Sequence, residues 1–235
     1  MEEKVSVLIP FYNDPYVGEA IASAVAQTWS NKEIIVIDDG SEHALDKLDP
    51  WRGSVHVVQK PNGGTASALN AGLAVATGAY VAWLSSDDRF HPAKLQNQVR
   101  FMQACGASIS FTDYSIINVD GEQLHSTATP RFHSQAHLHE FLLEGNPVNG
   151  CTVVCRRELF DRIGAFDTQL PYTHDYDMWL RALISGYALH YLHEPLTAYR
   201  HHPGMGSIRH RADAELETKA TMARHRTRLL LRLGA

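Results

Sequence analysis

A chain of 235 residues, 44% of them hydrophobic and 20% charged, is long enough to bury a substantial core and too apolar to stay disordered. A net charge of −5 lacks the basic excess of a nucleic-acid-binding protein, and three cysteines make no disulfide framework, so neither a nucleic-acid partner nor an oxidising compartment is expected. No apolar run reaches the ~18–20 residues of a membrane span, and Met1-Glu2-Glu3-Lys4 leads straight into a strand pattern instead of a secretory signal, so the expected location is the cytoplasm.

In chain order, residues 5–11 read as a strand, and Asp14-Pro15 can cap and open the helix that follows over 16–28. Residues 33–38 and 54–59 read as strands, 65–76 as a helix, 79–85 as a strand, 91–104 as a helix and 107–111 as a strand. Strands alternating with helices of this length indicate βαβ units and a mostly parallel sheet. After Asp120-Gly121 the rhythm becomes α+β: a helix over 134–143, a strand over 152–155, helices over 157–163 and 175–185, and strands over 188–192 and 196–200. The expected organisation is a nucleotide-binding half over residues 1–112, a second half over 113–207 packed on it as one unit, and a basic helix over 208–235. From Gly206 onward there are seven Lys/Arg against three Asp/Glu, which suits either contact with an anionic membrane surface or a helix that packs Leu216, Ala220, Ala223 and Leu230 on the body.

Three groups of acids stand where apolar runs give way to loops or helices: Asp38-Asp39, Asp87-Asp88, and Asp175 with Asp177. Open parallel sheets bind ligands at the carboxyl ends of their strands, so these positions point to a ligand site. Each has a plainer reading as well. Asp38 and Asp39 can cap a helix near Glu42, Asp87-Asp88 can open a helix, and Asp177 can pair with Arg181 one turn on. Asn62-Gly63-Gly64 is a turn signal. Cys151 and Cys155 would lie roughly 13 Å apart on a strand, too far to share a metal. His133 and His137 lack a metalloprotease glutamate and read as surface helix, and Trp179 and Leu180 read as core.

Taken in order, Ile9-Pro10-Phe11-Tyr12-Asn13, Asp38-Asp39-Gly40-Ser41, Asn62-Gly63-Gly64 with Asn70-Ala71-Gly72, Leu84 through Asp88, and His174-Asp175 with Leu180-Arg181 resemble a family 2 glycosyltransferase out to about Ser207. The resemblance implies an α/β GT-A fold, a Rossmann-like mixed sheet flanked by helices with an α+β acceptor half. It also implies an inverting, non-processive transfer from a nucleoside diphosphate sugar to a glycan or lipid-linked hydroxyl. In that reading Pro10, Tyr12, Asn13, Asp39, Asn62, Gly64 and Asp87 hold the nucleotide. Asp39 would accept the imide N–H of uracil or thymine, which cytosine lacks. Asp88 and His202 would hold Mg²⁺ or Mn²⁺, and Asp175 would be the base. Three departures stand out: Ser85 and Ser86 in place of a leading aspartate, Leu69 where many members have arginine, and His174 where many have glutamate. No Gln-x-x-Arg-Trp pattern of processive synthases occurs. The competing readings are a catalytically silent sugar-nucleotide binder and a nucleotidyltransferase, the latter lacking its glycine-rich, basic phosphate loop. A dinucleotide enzyme would need a Gly-x-Gly-x-x-Gly at the first helix.

Overall fold

The computed structural model describes residues 2–234, and a single sheet of nine strands runs through it. The strands are β1 (Val5–Phe11), β2 (Lys32–Asp38), β3 (His56–Gln59), β4 (Tyr80–Trp83), β5 (Arg89–Phe90), β6 (Ile109–Ile117), β7 (Gln123–His125), β8 (Val154–Arg156) and β9 (Leu189–Arg200). Their order is β3-β2-β1-β4-β8-β6-β9-β5, with β7 paired to β6. The first four strands in that order are parallel, and β8 joins β4 and β6 antiparallel, which makes the sheet mixed.

Alternation along β1 decides which helices cover which face. Val5, Val7, Ile9 and Phe11 pack with α1 (Val17–Val25) and, through Leu95 and Val99, with one face of a later helix. Leu8, Ile35 and Ile37 turn to the other side, against Ala68 and Leu69 of α2 (Gly64–Val75). The helix over Lys94–Cys105 is α3. Gly72 lets α2 lie directly on the sheet, since a Cβ there would stand 2.8 Å from Ile37 Cδ1. The second face is completed by α4 (Gln135–Glu144), α5 (Arg157–Ile163), α6 (His174–Ile184) and, past a short α7 (Gly206–Arg209), α8 (Arg211–Leu233). None of the described helices is long and apolar enough to cross a membrane.

Several expected boundaries move for physical reasons. The two strands over 188–192 and 196–200 are one strand, β9, whose register against β6 slips at Thr112–Tyr114, opposite Pro195. Asp113 Oδ1 accepts the N–H groups of Tyr114, Ala128 and Thr129 at this irregularity, so backbone donors that leave the ladder keep a partner. Residues Gly150–Thr152 form a 3-10 turn, leaving only Val154–Arg156 as strand. The short β5, β7 and the 3-10 turn over Leu45–Trp51 carry no hydrophobic period and were not expected.

The basic helix lies on the body, but with a different face inward. Thr221, Met222, His225 and Leu229 are buried, while Leu216 is 65% exposed and Ala220 and Ala223 face out. Polar anchors set this rotation. Glu217 Oε1 accepts Tyr172 N–H, Thr173 N–H and Thr173 Oγ–H at 2.7–2.9 Å, and His225 Nε2 meets Asp177 Oδ1 at 2.7 Å. Asp177 also takes Arg181 Nε–H at 2.7 Å, and the same guanidinium caps α5 through Ile163 and Ala165 carbonyls. Burial works to raise the Asp177 pKa, but the hydrogen bonds from His225 and Arg181 outweigh it and hold the carboxyl below its ordinary value.

A depressed folded-state pKa contributes stability above the unfolded value, about pH 4, and that contribution fades as pH falls through the folded value. Asp177→Asn is therefore expected to lose about 2 kcal/mol at pH 7, roughly 4–8 °C in Tm. Calorimetric scans from pH 7 down to pH 3 should show the gap between the two proteins closing.

Candidate active site

The cavities open at the carboxyl ends of β1, β2 and β4, and short polar contacts tie the loops there to one another. Asn13 has φ 53°, and its Oδ1 accepts Glu42 N–H at 2.7 Å and His43 N–H at 2.8 Å. The loop after β1 is thereby fastened to the loop after β2. Gly40, at φ 79°, allows the turn to pass beside Asn62, whose backbone nitrogen would be 2.9 Å from any added Cβ. The acids that end β2 separate in role. Asp38 Oδ1 accepts Ser41 N–H at 2.8 Å and closes the turn. Asp39 accepts Gly64 N–H at 2.8 Å, Gly63 N–H at 3.1 Å and the Lys60 ammonium at 2.5 Å, so one carboxylate fixes the whole 60–64 loop at the cavity edge.

This first cavity measures about 860 Å³. It brings together Pro10, Tyr12, Asn13, Asp39, Asn62, Gly64 and Asp87, along with His202 from the segment after β9. A second cavity, about 430 Å³, is lined by Trp83, Tyr114, Asn146, Tyr172, His174, Asp175 and Tyr199. Ser85, Asp87, Met205 and Gly206 border both, so the two spaces meet at Asp87.

Asp175 stands in the first turn of α6, where the helix dipole favours an acid. Its Oδ1 accepts Tyr176 N–H at 2.7 Å and its Oδ2 accepts Asn146 Nδ2–H at 2.9 Å. Burial pushes its pKa up, opposed by His174, Tyr176 N–H and Asn146. Asp87 Oδ2 lies 3.1 Å from His202 Nε2, and the His202 ring meets Tyr16 edge-on at 5.6 Å.

Asp88 departs from expectation. It is fully buried and borders neither cavity; its Oδ1 accepts Arg200 N–H at 2.8 Å, and burial together with the Asp87 charge drives its carboxyl toward the neutral form. Of this adjacent pair it is Asp87 that reaches the cleft. The residue that organises the pair, Arg200, had no signal beyond its place in Tyr199-Arg200-His201-His202. Fully buried, it donates Nε–H to Asp87 O at 2.8 Å, Nη1–H to Val119 O at 2.9 Å and Nη2–H to Glu19 Oε2 at 2.6 Å, and its guanidinium lies 4.2 Å from the Tyr16 ring centre. Asn146 was also missed, since it sits in a loop with no period or motif.

The family model described as Glycosyl transferase family 2 matches residues 6–164. The chain belongs to that family. The chain is 36% identical over 204 residues to the uncharacterized glycosyltransferase RP339 of Rickettsia prowazekii, covering 84% of this chain and 64% of that protein. The chain thus spans less than two thirds of the length of that relative. It is 31% identical over 208 residues, 86% of this chain and 79% of the relative, to the Escherichia coli UDP-Glc:alpha-D-GlcNAc-diphosphoundecaprenol beta-1,3-glucosyltransferase WfaP. Among solved structures, S. aureus TarS 1-349 in complex with UDP-GlcNAc superposes with a TM-score of 0.71 at 18% identity, over 98% of this chain and 71% of that one. The mannosyltransferase PcManGT from Pyrobaculum calidifontis, in complex with GDP-Man and Mn2+, gives 0.69 at 18%, over 95% and 65%. These likenesses establish the GT-A fold for this chain.

Replacing Arg200 with methionine removes the side-chain donors to the Asp87 and Val119 carbonyls and to Glu19 Oε2. The expected cost is about 3 kcal/mol, a fall of roughly 6–12 °C in Tm, measurable by thermal denaturation.

Proposed function

We propose that this glycosyltransferase moves a sugar from a uracil- or thymine-containing nucleoside diphosphate sugar to a hydroxyl of a glycan or lipid-linked acceptor, with inversion, in the synthesis of a surface polysaccharide or glycolipid. The observation that carries the proposal is the position of Asp87, on the border between a cavity that gathers the expected nucleotide residues and one that holds Asp175. A donor in the first space and an acceptor in the second would meet there. The names of the relatives support the class of ligand: UDP-GlcNAc bound to TarS on the donor side, and a diphosphoundecaprenol-linked sugar for WfaP on the acceptor side.

In the donor cavity, the loops held by Asn13 and Asp39 form the base pocket. Three donors, Gly63, Gly64 and Lys60, with Gly63 N–H shared between both oxygens, leave Asp39 about one of its four or so acceptor positions for an imide N–H. The donor set also fits a divalent cation, now with Asp87 in place of Asp88. Asp87 and His202 converge on the cleft at 3.1 Å, and no group of three or more metal-binding side chains occurs among the described residues. Mg²⁺ and Mn²⁺ accept such a lean set when phosphate oxygens and water complete it. A bound cation there supplies Lewis-acid neutralisation of the departing diphosphate.

On the acceptor side, Asp175 takes the proton of the attacking hydroxyl as its oxygen approaches the anomeric carbon from the face opposite the diphosphate, which inverts that carbon. Asn146 orients the carboxylate, and both of its oxygens are committed to fixed donors, so little reorganisation accompanies proton transfer.

Asp175→Asn is expected to lower transfer about 10²- to 10⁴-fold while donor binding is kept; full turnover in this variant, measured by release of the nucleoside diphosphate in the presence of acceptor, would reject the base. The deprotonated carboxylate is the active form and its pKa is raised, so activity should fall on the acid side at a pH above the ordinary aspartate range. Asn146→Ala, which removes a donor to the charged form, should move that acid limb to higher pH in a pH–rate profile. For the cation, thermal shifts of UDP with and without Mn²⁺ should show a metal-dependent increment in the wild type that Asp87→Ala loses.

A further inference from the structure

The donor cavity is short of positive charge. Asp14, Asp39 and Asp87 border it, and the part of α2 that faces it offers Gly64, Thr65 and Ala68. Lys60, the cation nearest to this loop, is spent on Asp39 and on the Pro61 carbonyl and does not line the space. A nucleoside diphosphate sugar is a dianion at its bridge, and burying it beside three carboxylates needs compensation from the protein.

One guanidinium on the cavity wall is unspent. Arg209, at the end of α7, lines the cavity and is exposed, and its side chain has no hydrogen bond or ion pair among the described residues. Its backbone is well held: Arg209 N–H and Ile208 N–H both donate to Met205 O at 3.1 Å. Met205 and Gly206, at the base of the same short helix, border both cavities beside Asp87. The segment from His202 to Arg209 therefore closes the wall of the donor cavity at the point where the two spaces meet. It continues into α8, which Glu217 bolts to Tyr172 and Thr173 just ahead of Asp175.

We propose that Arg209 is the diphosphate-binding cation of this chain, its planar fork taking phosphate oxygens across the cavity from Asp87 and His202. The inference rests on the nucleotide reading of the cavity and adds to it the residue that recognises the phosphates. Arginine suits this task because its five donors match phosphate geometry in pairs and it stays charged at any working pH.

The test compares the full chain with Arg209→Ala and Arg209→Lys by isothermal titration of UDP, dTDP and GDP and of the matching nucleosides, in EDTA and at two salt concentrations. With EDTA present, any loss belongs to the side chain and not to the cation site. The expected result is about tenfold weaker binding of the preferred nucleoside diphosphate in Arg209→Ala, partial recovery in Arg209→Lys, a shallower salt dependence, and nucleoside affinity unchanged. Equal diphosphate affinity in wild type and Arg209→Ala overturns the assignment, as does equal weakening of nucleoside and diphosphate, which would make the segment a wall of the base pocket. A wild-type chain that binds none of the three diphosphates, in EDTA or with Mn²⁺ in its place, instead defeats the nucleotide reading itself, and the role of Arg209 falls with it.

Discussion

A fully buried guanidinium at the end of β9 is the constraint on which the site depends. Arg200 has no exposed surface, and an unpaired charge there would be untenable. Its donors are therefore distributed over the loop of Asp87, the turn at Asn118–Val119 and Glu19 of α1, while its flat face rests on Tyr16. Each of these contacts ends on a different piece of chain. The arginine joins the last strand of the sheet to the first helix and to the acidic turn after β4, and it does so with a rigid fork that lysine lacks.

That junction explains why two adjacent aspartates behave so differently. The backbone of Arg200 takes Asp88 as its acceptor, and the side chain of Arg200 takes the carbonyl of Asp87. The turn is held from both ends, and the Asp87 carboxylate is left pointing into the cleft, against His202. Since His202 follows two residues after Arg200, the strand that anchors the turn also delivers the imidazole. The acidic turn and its histidine partner are thus positioned by one element, with short lever arms on both sides.

Beside the second cavity a comparable economy links α8 to the segment carrying Asp175. Glu217 occupies the N–H groups of Tyr172 and Thr173, and Thr221 shares a hydrogen bond with Thr173 at 2.8 Å, so the start of α6 is gripped from the C-terminal helix. Asp177 and His225 add a second, buried tie one turn further on. These are polar contacts in a low-dielectric setting, where satisfied groups fix geometry more sharply than apolar packing does. The rotation of α8 follows them, which is why its leucines do not all face inward.

Much of this was legible in the chain alone. The alternation of short apolar runs with helical segments through residue 111 specified parallel βαβ units, because strand and helix periods differ and a parallel sheet buries both faces. The ordered motifs identified the family, and every residue expected to surround the nucleotide does line one cavity, since backbone turns after successive parallel strands converge at the same sheet edge. What local sequence could not express was direction and partnership. Nothing in Asp87-Asp88 says which carboxylate faces solvent, because that depends on a hydrogen bond to Arg200, 112 residues away. Asn146 and Arg209 carry no pattern, and their places at the cavities come from a loop and from the end of a four-residue helix. The face of α8, too, was decided by Glu217 finding Tyr172 and Thr173 just ahead of α6, and His225 finding Asp177 within it. Short-range periodicity determines which elements form and roughly where they end; only tertiary structure decides which polar groups meet, because a buried donor must find its acceptor wherever the folded chain happens to bring one.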